Sequence, residues 1–167
     1  MVDGIKTGHT NEAGYCLVSS AVKGDMRLLA VVMNAPTDAA RADDSQRLLN
    51  YGFRFFETHK LYQAKQKITS VHVYKGKSDI VNVGMIKDEF MTIPAGQYQK
   101  LKLTSKVPNN LVAPLKAGSQ IGELIVELDQ KVIHKQPLYA LNSIEEAGLF
   151  GRMKDSVKLA WNHYVHG

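Results

Sequence analysis

The sequence predicts an α+β, β-rich chain: three strands plus a helix over 1–60, a small all-β sandwich over 61–142, and an amphipathic helix within 143–167. Three observations carry this. Two apolar, β-branched runs near the start are separated by Lys23-Gly24-Asp25. Apolar residues then recur at helical spacing. From about Leu61 the texture changes to short alternating segments punctuated by Gly and Pro, the pattern of a sandwich or barrel.

Residues 14–22 (GYCLVSSAV) and 26–34 (MRLLAVVMN) read as a hairpin, because Gly24 supplies the positive φ that a tight turn requires. Both runs are apolar almost throughout, which predicts a sheet covered on both faces. Residues 5–9 form a third strand just before them. Asn34 to Thr37 make a turn around Pro36, and a helix follows over about 39–57. Leu48, Leu49, Gly52, Phe53 and Phe56 form its buried face. Thr37 or Asp38 caps it, and Asp43 and Asp44 place negative charge in its early turns. Three strands and one helix make an incomplete domain, whose open apolar face is expected to drive self-association.

The chain has 167 residues, 44% hydrophobic and 22% charged, which fits a folded protein and argues against disorder. Lys and Arg outnumber Asp and Glu by 21 to 16, the formal net charge of +5. These cations are scattered, so nucleic acid is not an expected partner; anionic surfaces such as lipid headgroups or cell wall suit them better. Cys16, the single cysteine, sits in an apolar run and reads as buried and inert. His72 and His134 are isolated and read as strand-surface residues, so no metal or other cofactor is expected. No run of eighteen apolar residues spans a membrane, and no signal segment opens the chain.

At 100° per residue the tail GLFGRMKDSVKLAWNHYVHG collects Leu149, Phe150, Met153, Val157, Trp161 and Tyr164 in an arc of about 160°. Arg152, Asp155, Asn162, His163 and His166 lie opposite, with Lys154 and Lys158 at one border. Large aromatics beside basic residues suit a membrane interface; the competing reading is a helix docked on its own domain.

Lys6-Thr7-Gly8 carries the chemistry. A cation and a hydroxyl on one strand can hold a substrate carboxylate, and Gly8 lets an extended peptide approach as an added strand. The backbone N–H of His9 completes an oxyanion hole. Acyl transfer further needs a serine with a lysine one helical turn later. Ser20-Ala-Val-Lys23 is the only Ser-x-x-Lys, but it spans a strand end and a turn and reads as accidental. No Ser-x-Asn occurs, and His9, His59, His163 and His166 have no partners at triad spacing.

VDGIKTGHTNEAGY, continued by MRLLAVVM and LLNYGFRFFETHK, resembles the D-alanyl-D-alanine carboxypeptidases of the penicillin-binding protein 5 type. DEFMTIPAGQYQKLK, Ala113-Pro114-Leu115, the LDQK turn, QPLYAL and the amphipathic tail follow in the same order. The resemblance implies the C-terminal remnant of a transpeptidase-like α/β domain, then the β-domain, then a helix on the periplasmic face of the inner membrane. Lys6 and Thr7 would contact the carboxylate of a peptidoglycan stem peptide or a β-lactam, Gly8 would line the site, and His9 would lend its N–H. Arg41 would stand near that carboxylate, although NAPTDAARADD departs from the family's glycine-rich connection; without the resemblance it reads as solvated helix surface. The nucleophile motifs would precede residue 1, so the chain alone is expected to be inactive. The alternative is a non-catalytic β-domain that docks partners or holds a catalytic domain at the membrane.

Overall fold

A computed structural model of the chain describes residues 2–148. The expected amphipathic helix, with Leu149, Phe150, Met153, Val157, Trp161 and Tyr164, lies outside the described residues. The chain divides into two compact units, Met1–Lys60 with Phe90–Gln99, and Leu61–Glu89 with the chain from Lys100 onward.

In the first unit, β1 (Val2–Thr10), β2 (Gly14–Lys23) and β3 (Met26–Ala35) form an antiparallel sheet in that order. Gly24 has φ +58°, and Lys23 faces Met26 across the tight turn. The helix α1 (Asp38–Phe55) begins where the Thr37 hydroxyl accepts from the Ala40 N–H at 3.1 Å. It packs across β2 and β3. Leu49 is buried against Ala21 and Ala30, with Leu28 and Phe53 around them. Gly52 lies directly over Leu28, where a Cβ would collide with the leucine methyls.

Three expectations change here. Leu48 is 50% exposed, and the buried polar position is Ser45, whose hydroxyl meets that of Ser19. Phe56 leaves the helix: its backbone is extended while its N–H still bonds the Gly52 carbonyl, so the helix stops at Phe55. The open apolar face expected of three strands and one helix is present: α1 covers one face of the sheet, and Leu29, Val31 and Met33 on the other are 65%, 54% and 74% exposed. The third change is at Cys16, which is only partly buried, its thiol 3.4 Å from the Ala13 carbonyl.

The remaining strands are β4 (Phe56–Tyr62), β5 (Lys67–Tyr74), β6 (Ile80–Gly84), β7 (Glu89–Pro94), β8 (Leu101–Lys106), β9 (Leu111–Val112), β10 (Gln120–Leu128) and β11 (Lys131–Ala140). β4 pairs with β7, and the hydroxyls of Thr58 and Thr92 lie 2.8 Å apart, so residues 90–99 group with the first unit.

The second unit is built on one sheet in the order β8-β10-β11-β6-β5-β9. The pairing of Tyr139 with Gly84 and of Ala140 with Val83 joins β11 to β6, so the strands of this β-rich unit are linked edge to edge. Every second residue points into the core, and Val73, Val81, Val83, Leu124, Val126 and Leu138 are fully buried. Residues 143–148 are not helical: Ile144 bridges to Leu115 and Glu146 to Gly76. Glu89 is 5% exposed, accepts from Gln136 Nε2 at 2.9 Å and has His134 Nε2 at 3.5 Å. His134 thus has a carboxylate neighbour, while His72 stands edge-on to Tyr74.

Asp129 and Gln130 close the β10–β11 hairpin at φ +48° and +65° without a glycine. Replacing Gln130→Gly removes a left-handed strain and should raise stability by about 0.5–1 kcal/mol. Leu138→Ala, at a fully buried position, should lower it by about 2–5 kcal/mol. Urea midpoints at unchanged slope check both.

Candidate functional site

β1 is an edge strand. Its inner edge pairs Lys6 with Val18, Thr7 with Leu17, Gly8 with Cys16 and His9 with Tyr15. Among the described residues no strand pairs with its outer edge. Directly opposed residues share a face, so Thr7 lies on the α1 side with Leu17 and Val32. Lys6 lies on the open side with Val18 and Val31. The Lys6 ammonium donates to the Thr7 carbonyl at 2.7 Å. Around Gly8 a Cβ would meet nothing within 4 Å, so the strand has open space where a ligand backbone would approach.

Arg41 is not solvated helix surface: its side chain is 13% exposed. Nη1 donates to the carbonyls of Gly8 at 3.0 Å and Cys16 at 3.1 Å, and Nη2 pairs with Asp38. The guanidinium also lies 5.4 Å from the centre of the Tyr15 ring, and that ring packs 4.1 Å from His9. One planar fork therefore ties the first turn of α1 to two strands. The structure brings Lys6, Thr7, Gly8, His9 and Arg41 to one end of one sheet, with Arg41 holding the strand from behind.

Ser20 and Lys23 do not form a nucleophile and base. Ser20 is 2% exposed and takes a hydrogen bond from Arg27 Nη1, while Lys23 sits three residues on, at the turn. Asp3 joins the same network, 2.9 Å from Arg27. The Ser20 hydroxyl, and after it the Arg27 guanidinium, holds the Asp3 carboxyl below its ordinary value.

Between β1 and α1 runs a groove of about 830 Å³, lined by Thr7, Leu17, Ser19, Ser45, Leu49 and Asn50 among others. The sequence reading missed it. Its only signal was polar residues, Ser45, Gln46 and Asn50, along one flank of an otherwise apolar helix stripe. Among the described residues no group of three or more His, Cys, Asp or Glu could hold a metal, and no helix is long and apolar enough to cross a membrane.

Residues 56–146 match the family model of the penicillin-binding protein 5 C-terminal domain, more than half of the chain. The chain belongs to that family. Residues 1–37, which include Lys6-Thr7-Gly8, match the model of D-alanyl-D-alanine carboxypeptidase. The chain is 42% identical over 164 residues to D-alanyl-D-alanine carboxypeptidase DacA of Escherichia coli K12, covering 98% of this chain and 41% of that one. It is 43% identical over 156 residues to the DacA of Haemophilus influenzae, covering 92% and 40%. A solved structure of penicillin binding protein 5 from Haemophilus influenzae superposes with a TM-score of 0.82 at 42% identity, over 87% of this chain and 43% of that one. The chain thus spans about two fifths of the length of these curated relatives.

Arg41→Ala should destabilise the first unit by about 1–3 kcal/mol, the cost of stripping a charged donor from two carbonyls. Amide exchange along β1 and β2 should rise, and Arg41→Lys should recover less than half, since an ammonium cannot reproduce the fork. A carboxyl lowered in the folded state stabilises above its unfolded value and loses that effect as pH falls through the folded one. Accordingly, Asp3 should titrate lower by NMR in the native chain than in Ser20→Ala or Arg27→Ala, where it should return toward the ordinary range.

Proposed function

We propose that this chain is the C-terminal part of a serine-type D-Ala-D-Ala carboxypeptidase, which trims terminal D-alanine from peptidoglycan stem peptides at the periplasmic face of the inner membrane. The observation that carries the reading is Lys6-Thr7-Gly8 on the free outer edge of β1, with the Gly8 carbonyl fixed from behind by Arg41. A peptide laid along that edge pairs as an added strand. Its terminal carboxylate sits at the strand edge between the Lys6 ammonium and the Thr7 hydroxyl. The His9 N–H donates to the oxyanion, and the His9–Tyr15–Arg41 stack keeps that residue in register. A β-lactam, which presents a carboxylate beside a reactive carbonyl, uses the same groups. The D-alanyl-D-alanine carboxypeptidase names of the relatives support the substrate class.

This part binds and orients; it does not attack. Covalent catalysis needs a serine activated by a neighbouring base, and Ser20 is shut into the sheet under Arg27. The chain on its own is therefore inactive in this reading. A second reading, a scaffold that holds a catalytic domain near the membrane, is favoured by the separate buried core of the second unit and by the amphipathic pattern of 149–167. That tail would meet inner-membrane lipid through Trp161, Phe150 and their neighbours.

Intact-mass analysis after incubation with a reactive β-lactam tests the first reading, with no adduct expected on native or denatured chain. A single adduct on the native chain only would sink it and point to Ser20. Sedimentation with anionic vesicles tests the anchor: the full chain should pellet, and a chain ending at Gly148 should stay in solution. Equal pelleting of both would remove the tail from the account.

A further inference from the structure

We propose that the ribbon of β4 and β7 is a conformational strap, by which Glu89 in the second unit governs the stability of the C-terminal end of α1 in the first. The proposal does not depend on the carboxypeptidase reading. Chains usually pass between compact units through exposed, flexible linkers. Here all three passages fall inside regular elements: after Lys60 within β4, after Glu89 within β7, and after Gln99 within a single 3₁₀ turn, Tyr98–Lys100. β4 starts at Phe56, directly after the last residue of α1, and β8 starts directly after the 3₁₀ turn.

One short strand, β7, is pinned by a buried side chain in each unit. Glu89 and Ile93 are 5% and 2% exposed, and four residues of extended chain set them about 13 Å apart. In the second unit the Glu89 carboxylate accepts from Gln136 Nε2 and faces His134. Asp88 beside it accepts from the Ala64 N–H at 2.7 Å, and the Lys65 N–H donates to the Met85 carbonyl, also at 2.7 Å. In the first unit the same stretch closes the end of α1. The Ala95 N–H donates at 2.9 Å to the carbonyl of Phe55, a helix-end acceptor with no partner inside the helix. Glu57 accepts from the Gly96 N–H at 3.1 Å, and Tyr98 stacks on His59 with ring centres 4.1 Å apart. Removing the Glu89 carboxylate leaves Gln136 Nε2 without this acceptor and frees the first residue of β7. A strand then held only at Ile93 frays, and the Ala95 N–H leaves the helix end with it.

Amide exchange on the full chain, followed residue by residue, tests this. In Glu89→Ala the N–H groups of Phe56, Ala95 and Gly96 should exchange at least about tenfold faster, with the β2 and β3 amides within about twofold of the native chain. A carboxylate that served the second unit alone would alter exchange in β10 and β11 and leave those three amides as they are. Glu89→Gln should restore most of the protection, because its amide oxygen still accepts from Gln136. Inserting Gly-Ser-Gly between Glu89 and Phe90 slackens the strap without replacing a core residue, so it should speed the same three amides. If Glu89→Ala loses its circular dichroism, the insertion decides alone. Unchanged exchange at Ala95 and Gly96 in a folded variant, or an equal rise across β2 and β3, would overturn the proposal.

Discussion

A single helix covers about two strands, and the first unit has three. An α-helix is about 10 Å across and strands lie about 4.8 Å apart, so α1 seated on β2 and β3 cannot also roof β1. Much follows from that mismatch. The groove of about 830 Å³ is the unroofed strip beside β1. Arg41 is the only side chain of the helix shown reaching a β1 carbonyl across it, and it does so with a long planar fork. Beneath α1, small residues permit the close seat: Ala21 and Ala30 under Leu49, and Gly52 over Leu28. The lysine-threonine-glycine strand is thereby held by its backbone from one side and left free on the other.

Much of this was legible in the sequence because it rests on local rules. Gly24 announced the hairpin, Thr37 capped the helix as its type and place suggested, and the alternating strands fell where their period put them. The tripeptide and the order of motifs carried the family, which the comparisons then supported. Failures occurred where distant residues decided. Phe56 fits a helical stripe, but its extended backbone and the Ala95 N–H bonded to the Phe55 carbonyl end the helix one residue earlier. Leu48 has the right spacing and the wrong flank.

Arg41 shows the limit most plainly. Its position was found through resemblance, whereas spacing alone made it surface. No local pattern announces that a guanidinium will find two carbonyls 33 and 25 residues back along the chain. The functional strand was readable; the group that braces it was not.

The excursion of Phe90–Gln99 into the first unit has an architectural consequence. The chain passes between the units three times, after Lys60, Glu89 and Gln99. Neither unit is a continuous stretch of gene. Recombination with a single break at residue 60 would deliver a first unit stripped of β7 and a second unit burdened with it. A clean separation of the two bodies therefore needs more than one cut along the chain.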